Sequence, residues 1–459
     1  MEWLSEGDLE ALAALDLPVP RYTSYPPAPS WQATPSIDEV MEPFRNELET
    51  YSKAPFACYL HIPFCRSMCL FCGCSVVLNR REDRAETYVD RVLREAELYV
   101  QSFGFRPRLS QIHLGGGTPT SLSLDQMERL IRGLQSHFDW SAMQEQAIEI
   151  DPRTIEEEGA AKLRHLRDLG FNRVSFGVQD SNERVQEVIR RRQSWACSLR
   201  TLELSRSLGL DQINVDLIYG LPYQTVESFS QTARDVAGAR PSRIALFSYA
   251  HVPWVKAHQK ALPEHAMPMG KEKLQLYRAA RQILLQAGYV SIGMDHFALP
   301  EDELVKAFHE GTLIRNFQGY SIRYSDHLIP LGMSAIGQLG SWYVQNSKEL
   351  EGYQKNLEEG TLRYVRGHRK SAEDQMRSQL IEAIMCRFAV DLAHFAPDDW
   401  QERFGSELEA LESWSADGWV ERFGSQVRVT ERGRFVVRHI ARLFDVMSQE
   451  GAGIFSRGL

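Results

Sequence analysis

Between residues 54 and 290 the chain alternates short apolar, β-branched runs with longer helical ones six times, and this alternation constrains the fold more than any other feature. Strands are expected at 56–62, 111–114, 147–150, 173–178, 213–218 and 244–249. Helices follow at 83–102, 124–137, 156–169, 195–208, 226–238 and 271–287. Strand–helix repetition at this spacing specifies βα units and a parallel sheet, an α/β fold. Six units fall short of an eight-fold barrel, which leaves a partial (βα)6 barrel or a doubly wound sheet. Both bind ligands at the carboxyl ends of their strands. The residues just beyond these strands suit that place: Pro63-Phe64-Cys65, Gly115-Gly116-Gly117-Thr118, Asp151-Pro152-Arg153, Gln179-Asp180, Tyr219-Gly220-Leu221-Pro222 and Ala250-His251.

The first of these turns opens a cysteine cluster. Four of seven cysteines, Cys65, Cys69, Cys72 and Cys74, fall within ten residues. Disulfide frameworks belong to small secreted chains. This chain is large, and its acidic start (Met1-Glu2-Trp3-Leu4-Ser5-Glu6) lacks the basic-then-apolar pattern of a signal segment. It has no run of about 18 apolar residues, so a cytoplasmic location and no membrane partner are expected. The net charge of −9 disfavours broad nucleic-acid binding. In this setting the cluster points to metal or redox chemistry. Thiolates are soft ligands that suit iron–sulfur clusters or zinc, and zinc usually takes a second cysteine pair, which is absent. Three cysteines spaced by three and then two residues can hold three irons of a 4Fe–4S cube. The fourth iron is then open to chelate the amino and carboxylate groups of S-adenosylmethionine, whose reductive cleavage yields a 5′-deoxyadenosyl radical.

The spacing after a Tyr-x-His-Ile-Pro strand end resembles the radical S-adenosylmethionine superfamily. Further motifs resemble the oxygen-independent coproporphyrinogen III oxidases, or coproporphyrinogen dehydrogenases. They include Arg21-Tyr22-Thr23-Ser24-Tyr25-Pro26, Tyr59-Leu60-His61-Ile62-Pro63-Phe64-Cys65, Phe71-Cys72-Gly73-Cys74, Gly115-Gly116-Gly117-Thr118-Pro119-Thr120 and Gly177-Val178-Gln179-Asp180. Asp216-Leu217-Ile218-Tyr219-Gly220-Leu221-Pro222, Gly293-Met294-Asp295-His296-Phe297 and Arg315-Asn316-Phe317-Gln318-Gly319-Tyr320 extend the resemblance past residue 315. Ser321–His327 departs from the family's acidic stretch, and 154–169 is longer than usual.

The resemblance implies a partial (βα)6 barrel and oxidative decarboxylation of two propionates of coproporphyrinogen III to vinyl groups, giving protoporphyrinogen IX. It implies Cys65, Cys69 and Cys72 as metal ligands and two S-adenosylmethionine molecules. Tyr59, Gly116, Glu149 and Ile336 match positions around the first. Phe71, Gly117, Thr118, Gln179, Arg191, Asp216 and Ala250 match positions around the second. Cys74 matches a cysteine that is not a cluster ligand yet is tied to activity, and Phe317 and Gln318 match positions near the active centre. Tyr59, Glu149, Asp216, Cys74, Phe317 and Gln318 are therefore the catalytic candidates. Arg21, Arg315 and Arg323 are candidate cations for the substrate's propionates, because Arg pairs with a carboxylate in bidentate fashion. An electron donor for the cluster, an unidentified electron acceptor and a monomer are expected. A haem-degrading radical enzyme and a haem chaperone share the cluster loop and stand as alternatives. Cys74, the Arg21–Pro26 arm and Phe317-Gln318 speak against the chaperone.

Isolated residues have plainer readings. Cys58, Cys197 and Cys386 read as small hydrophobes. His113, His251 and His296 read as hydrogen-bonded strand-end histidines. The glycine triplet removes Cβ atoms, so a ligand can approach bare backbone. Residues 1–50 read as an N-terminal arm, because six prolines between 18 and 35 forbid a regular helix there. Residues 51–365 form the catalytic region. Residues 366–459 form a mostly helical, winged-helix-like region with a hairpin near 417–429, on which Arg432, Arg434 and Arg438 are expected to make a solvated face.

Overall fold

The computed structural model describes residues 4–15, 17–447 and 455; the first three residues of the acidic start lie outside that set. Six parallel strands form its centre: β1 (Pro55–Ile62), β2 (Arg108–Gly116), β3 (Glu145–Ile150), β4 (Arg173–Gln179), β5 (Gln212–Tyr219) and β6 (Arg243–Ser248). They lie side by side in chain order, β1 to β6. Strict order decides between the two architectures the alternation allows. A doubly wound sheet reverses direction at a switch point. An unreversed series of right-handed crossovers puts every helix on one face and leaves the other to curl inward as a partial barrel. Leu328–Leu331 adds a parallel neighbour to β1, and antiparallel strands extend both edges, giving twelve strands.

The two faces differ as barrel geometry requires. Leu60, Ile112, Ile148, Val174, Phe176, Val215 and Leu246 point outward into the helices and are fully buried. The inward series is polar. Tyr59 is in register with His113, Glu149 with Ser175, Gly177 with Asp216, and Ala245 with His296. Side chains alternate along a strand, so residues in register share the inner face. At the amino-terminal end of the strands this face is sealed by an ion network. Arg173 bonds Glu145 at 2.6 Å and Glu303 at 2.6 Å, while Arg243 bonds Asp302 at 2.9 Å. The open, reactive end is therefore the carboxyl one.

The helices follow their local signals. Leu124–His137 begins on a capping box, Ser123 with Gln126. The helix expected at 156–169 starts earlier, at Pro152 behind the cap Asp151, and breaks at Gly159 (φ 70°) into Pro152–Glu158 and Ala160–Asp168. Two helices of the arm flank the proline-rich stretch: Glu6–Ala14, capped by Ser5, and Ile37–Asn46, which starts just past Pro35 on the capping box Ser36–Glu39. The preceding stretch is extended and tied down: Trp31 stacks on Tyr343 at 5.1 Å, and Tyr22 donates to Asp445 at 3.0 Å.

The C-terminal region packs Ala372–Arg387, Gly405–Ala416 and Val437–Arg442 on a three-stranded sheet whose hairpin is Val420–Phe423 and Gln426–Val429. The expected solvated basic face is not there. Arg438 is buried and donates to the Pro20 carbonyl at 3.0 Å and to that of Val19. Arg434 lies 4.3 Å over the Phe388 ring, and Arg432 pairs with Asp8 and covers Trp419. The arm's carbonyls and acids supply partners that a local reading of the helix cannot see. Among the described residues no helix is long and apolar enough to cross a membrane.

Candidate active site at the carboxyl ends of the strands

The cysteine loop leaves β1 through Phe64–Cys65, which pairs in parallel with Val77–Leu78. Its far side is pinned from the segment after β6. Lys256 Nζ donates to the Cys74 carbonyl at 2.7 Å, Gln259 Nε2 donates to that of Phe71 at 3.0 Å, and His258 Nε2 lies 2.8 Å from that of Cys72. All seven thiols are free. Cys58, Cys197 and Cys386 are buried, as small hydrophobes should be. Cys65, Cys69, Cys72 and Cys74 all line one cavity of about 330 Å³. Burial pushes the Cys65 thiol up to about 11. Hydrogen bonding with Cys74 draws Cys72 down to about 7, despite its own burial.

The glycine triplet ends β2 beneath the same cavity, and each glycine makes room for a protein group. A Cβ on Gly115 would stand 2.7 Å from Glu149 Oε1, and one on Gly116 would stand 2.6 Å from the His61 ring. A Cβ on Gly117 would stand 2.6 Å from the Pro63 carbonyl oxygen. The missing Cβ atoms thus serve Glu149 and the strand crossing as well as any ligand. Glu149 Oε2 accepts from the Gly116 N–H at 3.0 Å, and Oε1 lies 3.3 Å from His113 Nε2. Burial would raise this carboxyl, but His113 and the Gly116 N–H outweigh it and hold it below the usual carboxylate range. Glu149 nevertheless keeps 41% of its side chain open, toward the cavity. Tyr59 stacks on His113, and its hydroxyl lies 3.2 Å from His61 Nδ1. Burial, with the Glu149 charge added, keeps that hydroxyl protonated.

Across the cavity, β4 carries a bulge that puts Gln179 in the left-handed region (φ 68°). A non-glycine residue there is strained, by about 1–3 kcal/mol. Gln179 is buried, and its Oε1 has no partner in the protein. Asp216 on β5 accepts from Asn214 Nδ2 at 2.8 Å and from Ser175 at 3.3 Å. Burial and the charge of Glu149 push Asp216 up to about 6. Arg191 donates to the Gly177 carbonyl at 2.7 Å and reaches Cys69 Sγ at 3.7 Å, and Arg153 reaches it at 3.9 Å. Between the two guanidinium groups sits Asp151, which they hold at about 2 against the effect of burial.

Phe71, Gly116, Gly117, Thr118, Glu149, Gln179, Arg191 and Asp216 therefore line one cavity with the cysteines. Tyr59 and His113 do not line it; Tyr59 stacks on His113, which bonds the lining Glu149. Ala250 and Ile336 are not among its lining residues; Ile336 opens the strand antiparallel to Leu328–Leu331. Phe317 lines a second, larger cavity of about 610 Å³ with Arg315, Arg323 and Lys370, and Gln318 lies in the adjoining hairpin turn. Arg323 is ion-paired there with Asp326 and Glu382. Arg315 Nη1 is buried without a hydrogen-bond partner. Arg21 instead faces a small recess beside Asp295 and Arg438. His251 and His296 are held by Glu264 and Asp295, as expected of strand-end histidines.

Sequence reasoning passed over Arg153, Asn214, Ser175 and the Lys256–Gln259 clamp. Arg153 carried a signal, standing in the turn after β3. The clamp carried none, since only the fold brings residue 256 to residue 74.

No group of three His, Cys, Asp or Glu side chains among the described residues converges tightly enough for a single metal ion. Three free thiols around a shared cavity suit a larger, multi-atom thiolate-bound group, and two guanidinium groups stand ready to offset its negative charge. The orphaned Gln179 oxygen and the open face of Glu149 are unused acceptors for a cationic or hydroxyl-bearing ligand.

Comparison with known proteins agrees with this geometry. Residues 59–236 match the radical SAM superfamily, and residues 371–436 match the HemN C-terminal domain. The oxygen-independent coproporphyrinogen III oxidase of Escherichia coli (strain K12) is 38% identical over 462 residues, covering 98% of both chains. That of Synechocystis sp. is 37% identical over 463 residues, covering 99% of this chain and 98% of the relative. That of Helicobacter pylori (strain ATCC 700392 / 26695) is 36% identical over 456 residues, covering 98% and 99%. The solved structure of the Escherichia coli coproporphyrinogen III oxidase, described as a radical SAM enzyme, superposes with a TM-score of 0.85 at 38% identity, covering 93% of this chain and 97% of that one.

Proposed function

The chain belongs to the oxygen-independent coproporphyrinogen III oxidases of the radical SAM superfamily, and from that membership we propose how its own residues carry the reaction. It is an oxidoreductase that oxidises coproporphyrinogen III without dioxygen, with a 4Fe–4S cluster and S-adenosylmethionine as cofactors. The observation that carries the residue-level reading is that Cys65, Cys69, Cys72, Glu149, Gln179 and Asp216 line one cavity.

When bound, cluster and S-adenosylmethionine together supply a 5′-deoxyadenosyl radical able to remove hydrogen from an unactivated carbon. Cys65, Cys69 and Cys72 are the proposed cluster ligands, with Arg153 and Arg191 balancing the thiolate charge. Tyr59, Gly116, Glu149 and Ile336 orient the first cofactor molecule. Glu149 is kept ionised for that role by His113 and the Gly116 N–H. Phe71, Gly117, Thr118, Gln179, Arg191, Asp216 and Ala250 serve a second. Cys74, Phe317 and Gln318 face the substrate. Arg315, Arg323 and Lys370 in the larger cavity anchor propionates, as guanidinium and ammonium groups do for carboxylates. Two propionates become vinyl groups, giving protoporphyrinogen IX. Each loses a β-hydrogen and carbon dioxide, so each passes one electron to an acceptor. The barrel holds target and radical source in van der Waals range and excludes water. A separate donor reduces the cluster, and the protein acts as a cytoplasmic monomer.

The test is anaerobic turnover of reduced, reconstituted protein with coproporphyrinogen III. Protoporphyrinogen and carbon dioxide in a 1:2 ratio are expected. An intact cluster with no decarboxylation would overturn the reading.

A further inference from the structure

Part of the surface at the cysteine loop is basic in an acidic protein. Three of the segments at this loop carry that charge: residues 65–81 carry the loop itself, 189–193 reach it through the bond from Leu70 N–H to the Ile189 carbonyl, and 251–261 clamp it, while the acidic helix Pro152–Glu158 meets it separately through Glu157 and Arg66. Together the three segments contain Arg66, Arg80, Arg81, Arg190, Arg191, Arg192, Lys256 and Lys260, and no Asp or Glu, in a chain whose net charge is −9. Arg66, Arg81 and Arg192 are paired with Glu157, Asp83 and Glu187. Among the described residues, Arg80, Arg190, Lys256 and Lys260 have no carboxylate within ion-pair distance, and all but Lys256 are exposed. The same segments carry large apolar side chains in solvent. Trp254 is 65% exposed, Val255 64% and Leu78 51%. Leu78 is in register with Cys65, and Trp254 and Val255 immediately precede Lys256.

Unpaired basic side chains together with an exposed Trp are the composition of a protein-docking patch with one aromatic anchor. Its position says what docks. A seated partner stands against the chain that carries the cysteines, since Lys256 holds the Cys74 carbonyl and Leu78 pairs with Cys65, and the positive charge selects an acidic partner by steering. We propose that Arg80, Arg190, Lys256, Lys260, Leu78, Trp254 and Val255 form the docking face for a small acidic protein that carries a low-potential one-electron group. The carrier is oxidised by one electron and the cluster reduced by one; no bond or proton moves. This rests on the cluster reading above.

The probe is a reduced acidic plant-type [2Fe–2S] ferredoxin, a low-potential one-electron donor, with dithionite as a small donor that needs no docking. Cluster bleaching is followed by stopped flow, and binding of the oxidised ferredoxin by calorimetry, at low and high salt. The double variant Arg80→Glu, Lys260→Glu and the single variant Trp254→Ala should each slow ferredoxin-driven reduction by about tenfold or more and weaken ferredoxin binding. Salt should slow the wild type and hardly affect the charge-reversed variant, and dithionite should reduce all three proteins equally. Equal ferredoxin rates and affinities in wild type and variants would overturn the docking face while leaving the cluster reading intact. A protein in which dithionite reduces no cluster would overturn the reading beneath it.

Discussion

Gly115→Ala tests whether the triplet's first glycine exists to seat Glu149. The backbone of Gly115 does not occupy the left-handed region, so Ala is conformationally permitted and the effect is purely steric. The new methyl would lie 2.7 Å from Glu149 Oε1 and 2.9 Å from Cδ. Carbon–oxygen contact needs about 3.4 Å or more, so the carboxylate must retreat by roughly 0.7 Å. The Gly116 N–H···Oε2 bond, at 3.0 Å, then leaves the 2.7–3.2 Å range in which such bonds are strong. One hydrogen bond to a charged group is worth about 1.5–3 kcal/mol, and each 1.4 kcal/mol is tenfold. S-adenosylmethionine should therefore bind the anaerobic, cluster-loaded variant about ten- to a hundredfold more weakly, at unchanged iron and sulfide content. Gly238→Ala is the control. Gly238 sits in the helix Val226–Ala239 with nothing within 4 Å of its absent Cβ, and the change should stabilise the fold by about 0.5–1 kcal/mol without touching cofactor affinity. Wild-type affinity in both Gly115→Ala and Glu149→Gln, measured by equilibrium dialysis, would refute the assignment of Glu149 to the cofactor.

Single replacement of Cys65, Cys69 or Cys72 by Ala should abolish cluster content, whereas Cys74→Ser should keep iron and sulfide and lose product; iron loss in Cys74→Ser would make it a fourth ligand. Asp216→Asn preserves shape but removes the charge, so two molecules of S-adenosylmethionine per wild-type chain should fall to one, counted by binding of labelled cofactor; one in both proteins sinks the second site. Glu95, fully buried beside the Gly332 N–H, Asn346 and Tyr353, is pushed by burial up to about 7. A carboxyl whose folded value is raised stabilises the protein at low pH and loses that contribution as pH climbs from about 4.3 through 7. Thermal melts of wild type and Glu95→Gln across that window should shift steadily in favour of the Gln variant as pH rises; a constant difference would place the ionisation elsewhere.

Much of the site was legible from local pattern. The cysteine spacing, the glycines, and Glu149 and Asp216 at strand ends are short-range signals, because a βα unit delivers whatever follows its strand to one end of the sheet. The alternation likewise determined the parallel sheet, since its period is a property of contiguous residues. It did not decide between barrel and doubly wound sheet; that was decided by β1 to β6 lying in unbroken order, which is a matter of pairing between strands. Other features needed distant residues to meet. Arg438 reads locally as a solvated cation, but its partners are carbonyls more than 400 residues away in the arm. The hold of Lys256 on Cys74 spans 182 residues. The reason Gly115 lacks a side chain is a carboxylate on the next strand. Periodicity and spacing report on neighbours along the chain; charge balance, steric room and unpaired atoms depend on neighbours in space, and these only the folded chain supplies.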